Sequence, residues 1–125
     1  MALASILLIE SGRPSAPSFA SALEKKGFAV QVCHKVPTAV VQARKSAPDV
    51  LVLDAASMRT SGTRMCRAAR SNLDGIPIIL ISPEGTDPDP GNGSTVNLVL
   101  PFTPRKLVNR VHRQPGSALH AAQAG

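Results

Sequence analysis

Short apolar runs alternate along this chain with segments whose apolar residues recur at helical spacing. The runs are 5–9, 28–33, 50–53, 76–81 and 96–100, and the periodic segments are centred on 16–23, 37–45, 62–70 and 104–111. Apolar runs without internal alternation are typical of strands buried on both faces. The pattern therefore predicts a three-layer α/β domain, with a five-stranded parallel sheet between helices.

The segment between the fourth and fifth runs does not fit a helix. Residues 83–93 contain Asp-Pro repeats and three glycines. Proline removes a backbone donor and clashes with the preceding turn, and glycine adds a conformational cost, so both oppose a helix interior. We expect a helix at this place to be absent or reduced to a turn.

Polar residues follow directly on three of the apolar runs. Glu10, Asp54 and Ser82 each stand at the carboxyl end of a predicted strand. Asp54 alone would mark only the point where a strand surfaces. In parallel sheets, however, ligand sites lie beyond the carboxyl ends of the strands, where the strand order reverses. These three side chains are therefore the candidate site.

Size and composition predict one cytoplasmic domain. The chain has 125 residues, 43% of them hydrophobic and 18% charged. Residues 4–113 carry the periodic pattern, and 114–125 read as a flexible tail or truncated linker. No apolar run approaches the ~20 residues that cross a bilayer, and no basic segment precedes the first run, so neither a membrane span nor a secretory signal is expected.

The charge balance allows an acidic partner. The formal net charge is +6 and the isoelectric point about 10.2. Arg64, Arg67 and Arg70 follow one another at i, i+3 spacing, which indicates either a solvated helix face or, with the basic residues of 105–113, a docking surface. Trp and Tyr are absent and Phe is scarce, so an aromatic platform for single-stranded bases is poorly supported.

Over residues 4–113 the chain resembles the receiver domain of bacterial response regulators, which has a flavodoxin-like sheet in the order 2-1-3-4-5. Asp54 matches the aspartate that accepts a phosphoryl group from a histidine kinase, and Gly62 matches the family's glycine eight residues later. Ser82 matches the hydroxyl residue after the fourth strand, and Pro101-Phe102 matches the Pro-aromatic pair after the fifth. The resemblance implies a Mg²⁺ ion beside the phosphoacceptor.

The sequence departs from the family at the residues that carry the chemistry. Glu10 can stand for the first metal-binding acid, but Ser11 replaces the second. Leu100 occupies the position of the lysine, and Asn97 that of the switch aromatic. Mg²⁺ prefers an oxygen set rich in carboxylates, so a site with only Glu10 and Asp54 should bind it weakly. The family's helix between the fourth and fifth strands, a switch element, is the one expected to be lost.

Three functions follow as hypotheses. The first is a non-enzymatic receiver-like signalling module that binds a histidine kinase or an output protein, with Asp54 as a vestigial or weak phosphoacceptor. The second is a phosphorylation-competent receiver that uses Asp54 with a relaxed metal site. The third is a nucleic-acid-associated protein that uses the basic helices on the same fold. An enzyme with a different site stays open, since fold does not fix function.

Overall fold

A computed structural model describes residues 4–12, 18–58, 61–73, 75–85 and 95–113. Every strand pairing in its five-stranded sheet is parallel, and the order is β2-β1-β3-β4-β5. This is the predicted sheet. The strands are β1 (Ser5–Ile9), β2 (Ala29–Cys33), β3 (Val50–Asp54), β4 (Ile78–Ser82) and β5 (Thr95–Val99).

The helices that begin at Gly62 and Pro104 each have a capping side chain that satisfies one of their first free N–H groups. Ser61 accepts a hydrogen bond from the Arg64 N–H, and Thr103 accepts one from the Lys106 N–H, ahead of the Pro residue that opens the last helix. Among the described residues, none of the helices is long and apolar enough to cross a membrane. The helices are α1 (Ala20–Lys25), α2 (Val36–Lys45), α3 (Gly62–Asn72) and α4 (Pro104–His112), with a 3₁₀ turn at Ala55–Ser57.

Successive strand residues point to opposite faces of the sheet and build two separate apolar cores. Leu51 and Leu53 of β3 pack on one side, in the core completed by α2 and α3. Val50 and Val52 pack on the other side, in the core completed by α1 and α4. The four apolar residues of β3 are all fully buried, as a central parallel strand requires.

The basic residues of α3 and those of α4, which the sequence analysis considered as one possible surface, lie on opposite faces of the sheet. Arg64 and Arg67 lie exposed on α3, whose Met65 and Ala69 belong to the α2–α3 core. The basic residues of α4 lie on the far side of the sheet, because Leu107 belongs to the other core. The prediction of a joint docking surface is therefore wrong: helical spacing fixes which residues share a helix side, but not which sheet face the helix covers.

The connection from β4 to β5 is described only at its beginning. Residues 83–85 leave the sheet as an exposed turn, with Gly85 at a φ of +86°. Residues 86–94, on which most of the expected loss of a helix depends, lie outside the described residues, as does the segment 114–125. Both expectations stay predictions.

Candidate functional site

Three polar residues named from the sequence meet at one edge of the sheet. Glu10 follows β1, Asp54 ends β3 and Ser82 ends β4, and these three strands are adjacent. Their exposed fractions are 5%, 2% and 3%, respectively. The edge lies at the carboxyl ends of the strands and includes the switch point between β1 and β3, where parallel sheets place their ligands.

The Asp54 carboxylate caps the 3₁₀ turn that follows it. Its Oδ1 accepts a hydrogen bond from the Ser57 N–H at 3.2 Å. Burial raises the pKa of Asp54 above its ordinary value and the negative charge of Glu10 raises it further, while hydrogen bonds from Ser57 and Ala56 oppose the rise. Among the described residues, no cationic side chain contributes to this pKa. The carboxylate is thus held in place but not neutralised.

Ser57 is a site residue that the sequence analysis missed. Its Oγ donates a hydrogen bond to the Asp54 carbonyl at 2.9 Å and accepts one from the Ser11 N–H at 3.1 Å. It therefore ties the loop after β1 to the turn after β3. Part of this arrangement was visible in the sequence, because Asp is a common cap and can accept from the N–H three residues later. The contact between Ser57 and the Ser11 N–H was not visible, because it spans 46 residues of sequence.

Glu10 is held by two contacts from neighbouring segments. The Ser18 hydroxyl donates to Glu10 Oε1 at 2.6 Å, and His34 Nδ1 lies 3.0 Å from the Glu10 carbonyl oxygen. The His34 ring also covers Gly12, where a Cβ atom would come within 2.7 Å of it and where φ is +73°. The positive φ favours glycine at this position. Neither contact was predicted.

The opposite end of the edge is closed by neutral contacts. The Ser82 hydroxyl donates to Asn97 Oδ1 on β5 at 2.8 Å. Leu100, at the position where the resemblance places a lysine, is half-buried and packs with Phe102 against the α1–α4 core. Phe102 in turn stacks on Phe19 with ring centroids 5.4 Å apart. At this end of the edge, Leu100 and Phe102 therefore pack against the apolar core that α1 and α4 complete.

The donor set meets the needs of a magnesium ion only in part. Glu10 and Asp54 offer two carboxylates at adjacent strand ends, and oxygen donors of this kind suit Mg²⁺. Within the described part of the chain, however, no group of three His, Cys, Asp or Glu side chains could hold a metal ion. Ser11, at the position of the second acid, can offer only a neutral hydroxyl.

Comparison with known proteins shows what the chain is similar to in sequence and in fold. No protein-family model matches the chain. It is 27% identical over 110 residues to the transcriptional regulatory protein CreB of Escherichia coli, over 85% of this chain and 48% of that protein. The structure superposes on the chemotaxis protein CheY4 of Vibrio cholerae with a TM-score of 0.72 at 24% identity, over 90% of this chain and 99% of that one. The chain is related to response regulators and has the receiver fold.

A second structural neighbour shares the fold and holds a metal ion. The receiver domain of the sensor histidine kinase PA1611 of Pseudomonas aeruginosa has a TM-score of 0.70 at 23% identity, over 89% of this chain and 96% of that one. That domain has a magnesium ion coordinated in its active-site cleft. The present chain spans about half the length of CreB and of the mycobacterial sensory transduction protein RegX3, at 48% and 49%.

Proposed function

We propose that this domain is a receiver-type module of two-component signalling that acts mainly through protein contact, with Asp54 accepting little or no phosphate. The relationship to response regulators supports the pathway. The proposal that Asp54 accepts little or no phosphate rests on the closed end of the site. There Leu100 packs against the apolar core and the Ser82 hydroxyl donates a hydrogen bond to Asn97. The partner we propose is a histidine kinase or an output protein of such a pathway.

The physical reason is charge. Phosphoryl transfer depends on positioning and on neutralising the negative charge of the equatorial oxygens. The incoming group would meet two buried carboxylates, Glu10 and Asp54, and Leu100 cannot supply an ammonium to pair with it. Anionic oxygens brought beside uncompensated buried carboxylates are repelled strongly, because the local dielectric is low. The site therefore favours an unphosphorylated Asp54.

A magnesium ion would change this balance only in part. Glu10 and Asp54 would hold it, and when bound it would offset negative charge on the carboxylates and on a phosphoryl group. Glu10 Oε1 already accepts a hydrogen bond from the Ser18 hydroxyl at 2.6 Å, so only part of the carboxylate would be open to a metal. Ser11 adds no carboxylate, so we expect weak affinity. A receiver that still uses Asp54 with this relaxed site is the alternative.

Mass measurement after incubation with acetyl phosphate and Mg²⁺ separates the two possibilities. We expect no phosphorylated species from the unmodified protein. The variant Leu100→Lys with Ser11→Asp, which supplies the missing cation and acid, is the positive control for the assay conditions. A phosphoryl group mapped to Asp54 of the unmodified protein would establish the phosphorylation-competent alternative.

One further observation favours a second candidate function, association with nucleic acid. A groove of about 310 Å³ runs along α4, and α4 together with Arg113 contains no carboxylate. Cationic grooves attract phosphate backbones and release counterions when they bind, so affinity should fall steeply with salt. Failure of the protein to bind duplex or single-stranded DNA at low salt would remove this candidate. The groove is lined by Thr103, Arg105, Lys106, Asn109, Arg110 and Arg113.

A further inference from the structure

We propose that Asn97 is a positioning residue that holds the Ser82 hydroxyl on β5 and withholds its proton from the site at Asp54. This inference rests on the proposed function and names a restraint within the same site. Ser82 Oγ donates to Asn97 Oδ1 at 2.8 Å, and Ser82 itself is 3% exposed. A buried serine hydroxyl at the end of β4 is thus directed along the sheet, toward the neighbouring strand.

The register of β4 against β5 brings Ser82 and Asn97 close together. Leu80 pairs with Asn97, and Ser82 pairs with Val99. Paired residues of adjacent strands point to the same face, and Leu80 and Ser82 are two positions apart on one strand, so Asn97 and Ser82 share a face. The backbone reinforces the arrangement, because the Leu100 N–H donates to the Ser82 carbonyl at 3.0 Å. The register therefore makes the two side chains diagonal neighbours on one face, within reach of each other.

The restraint works because a hydroxyl has a single proton. While Ser82 donates that proton to the Asn97 amide oxygen, only its lone pairs are available to the site, and lone pairs repel an anionic phosphoryl oxygen. An ionised acceptor forms a stronger hydrogen bond than a neutral amide. An anion at Asp54 could therefore displace Asn97, but part of its binding free energy would be used to break the existing bond. The restraint weakens anion binding without forbidding it.

A double-mutant cycle with the phosphate mimic beryllofluoride and Mg²⁺ tests this role. The cycle uses the full chain with Leu100→Lys and Ser11→Asp, in which binding is expected to be measurable. Asn97→Leu removes the acceptor at similar volume and should tighten mimic binding by roughly fivefold, the value of a neutral hydrogen bond. In the Ser82→Ala background the same substitution should change nothing, because no proton remains to be released.

The outcomes separate this inference from the proposed function. An equal effect of Asn97→Leu with and without the Ser82 hydroxyl, or no effect in either background, would overturn the positioning role. Tight binding by the unmodified protein would overturn the proposed function instead, and the cycle would then be run in that protein. Asn97→Ala replaces Asn97→Leu if the leucine variant does not fold.

If the mimic binds none of these proteins, unfolding provides the test. Ser82→Ala and Asn97→Leu should each lower the folding equilibrium constant by roughly fivefold, the value of a neutral hydrogen bond, and together by little more than either alone, because they break the same bond. Fully additive losses would show that the two side chains do not act as a pair, and would overturn the inference.

Discussion

The two ends of the candidate site differ in the charge of the side chains that form them. At the β1–β3 end, Glu10 and Asp54 are buried carboxylates with hydrogen bonds from Ser18 and Ser57. At the β4–β5 end, the corresponding contacts are neutral: Ser82 binds Asn97, and Leu100 packs into apolar core. Among the residues that the structure describes, two carboxylates lie at one end of the site and no cationic side chain contributes to the pKa of Asp54. Burial raises the pKa of Asp54, and the negative charge of Glu10 raises it further.

Restoring a charged side chain at each end of the site should give the largest effect. Leu100→Lys adds a fixed cation and Ser11→Asp adds a metal ligand, so the combined variant should bind beryllofluoride with Mg²⁺ at least about tenfold more tightly than either single variant. A titration followed by chemical shifts near Asp54 and Ser82 measures this.

The matched control is Leu100→Gln with Ser11→Asn, which has similar size and polarity but no added charge. It should behave like the unmodified protein. If this uncharged pair binds as well as the charged pair, or if the charged pair stays silent, packing rather than charge closes the site.

The β1–β3 end should depend on Ser57 for stability. Ser57→Ala removes the donor to the Asp54 carbonyl and the acceptor for the Ser11 N–H, so two hydrogen bonds are lost, one of them buried. The expected loss is about 1–3 kcal/mol in the free energy of unfolding, measured by urea denaturation. Ser71→Ala is the control, because its hydroxyl bonds an exposed helix carbonyl. Equal losses in the two variants would show that Ser57 has no special part in the site.

Because burial and the Glu10 charge raise the pKa of Asp54, the free energy of unfolding should depend on pH. The pKa of Asp54 is raised in the folded protein, so between the unfolded and folded values the folded state binds more protons. Stability contributed by this group is therefore present at low pH and is lost as pH rises through the folded pKa. Asp54→Asn should raise the urea midpoint at pH 7 and flatten this part of the profile. A lower midpoint at pH 7 would show that the ionised carboxylate stabilises the fold.

The sequence predicted the elements that depend on local pattern. The strand order and the placement of Glu10, Asp54 and Ser82 at strand ends followed from the apolar runs and the resemblance. Individual boundaries shifted by one or two residues; the fifth strand is Thr95–Val99, for instance, where the pattern favoured 96–100. The loss of a metal ligand at Ser11 and of a cation at Leu100 stays a prediction.

The sequence did not predict the contacts that define the site. The bond from Ser82 to Asn97 needs the register of β4 against β5, and the bond from the Ser11 N–H to Ser57 needs two loops brought side by side. Residue spacing carries no information on either. The division of the basic residues between the two faces of the sheet was also missed, because residue spacing does not tell which face each helix covers.

The central claim is that Asp54 sits in a buried site whose negative charge is not balanced. Carbon-detected NMR of the Asp54 side-chain carboxyl, followed through a pH titration of the unmodified protein, tests it most directly. We expect the midpoint to lie above the ordinary aspartate value of 3.8, because burial and the Glu10 carboxylate both disfavour the ionised form. Leu100→Lys should move it down. A midpoint below 3.8 in the unmodified protein would reveal a cation or a set of strong donors at Asp54 and would contradict the account.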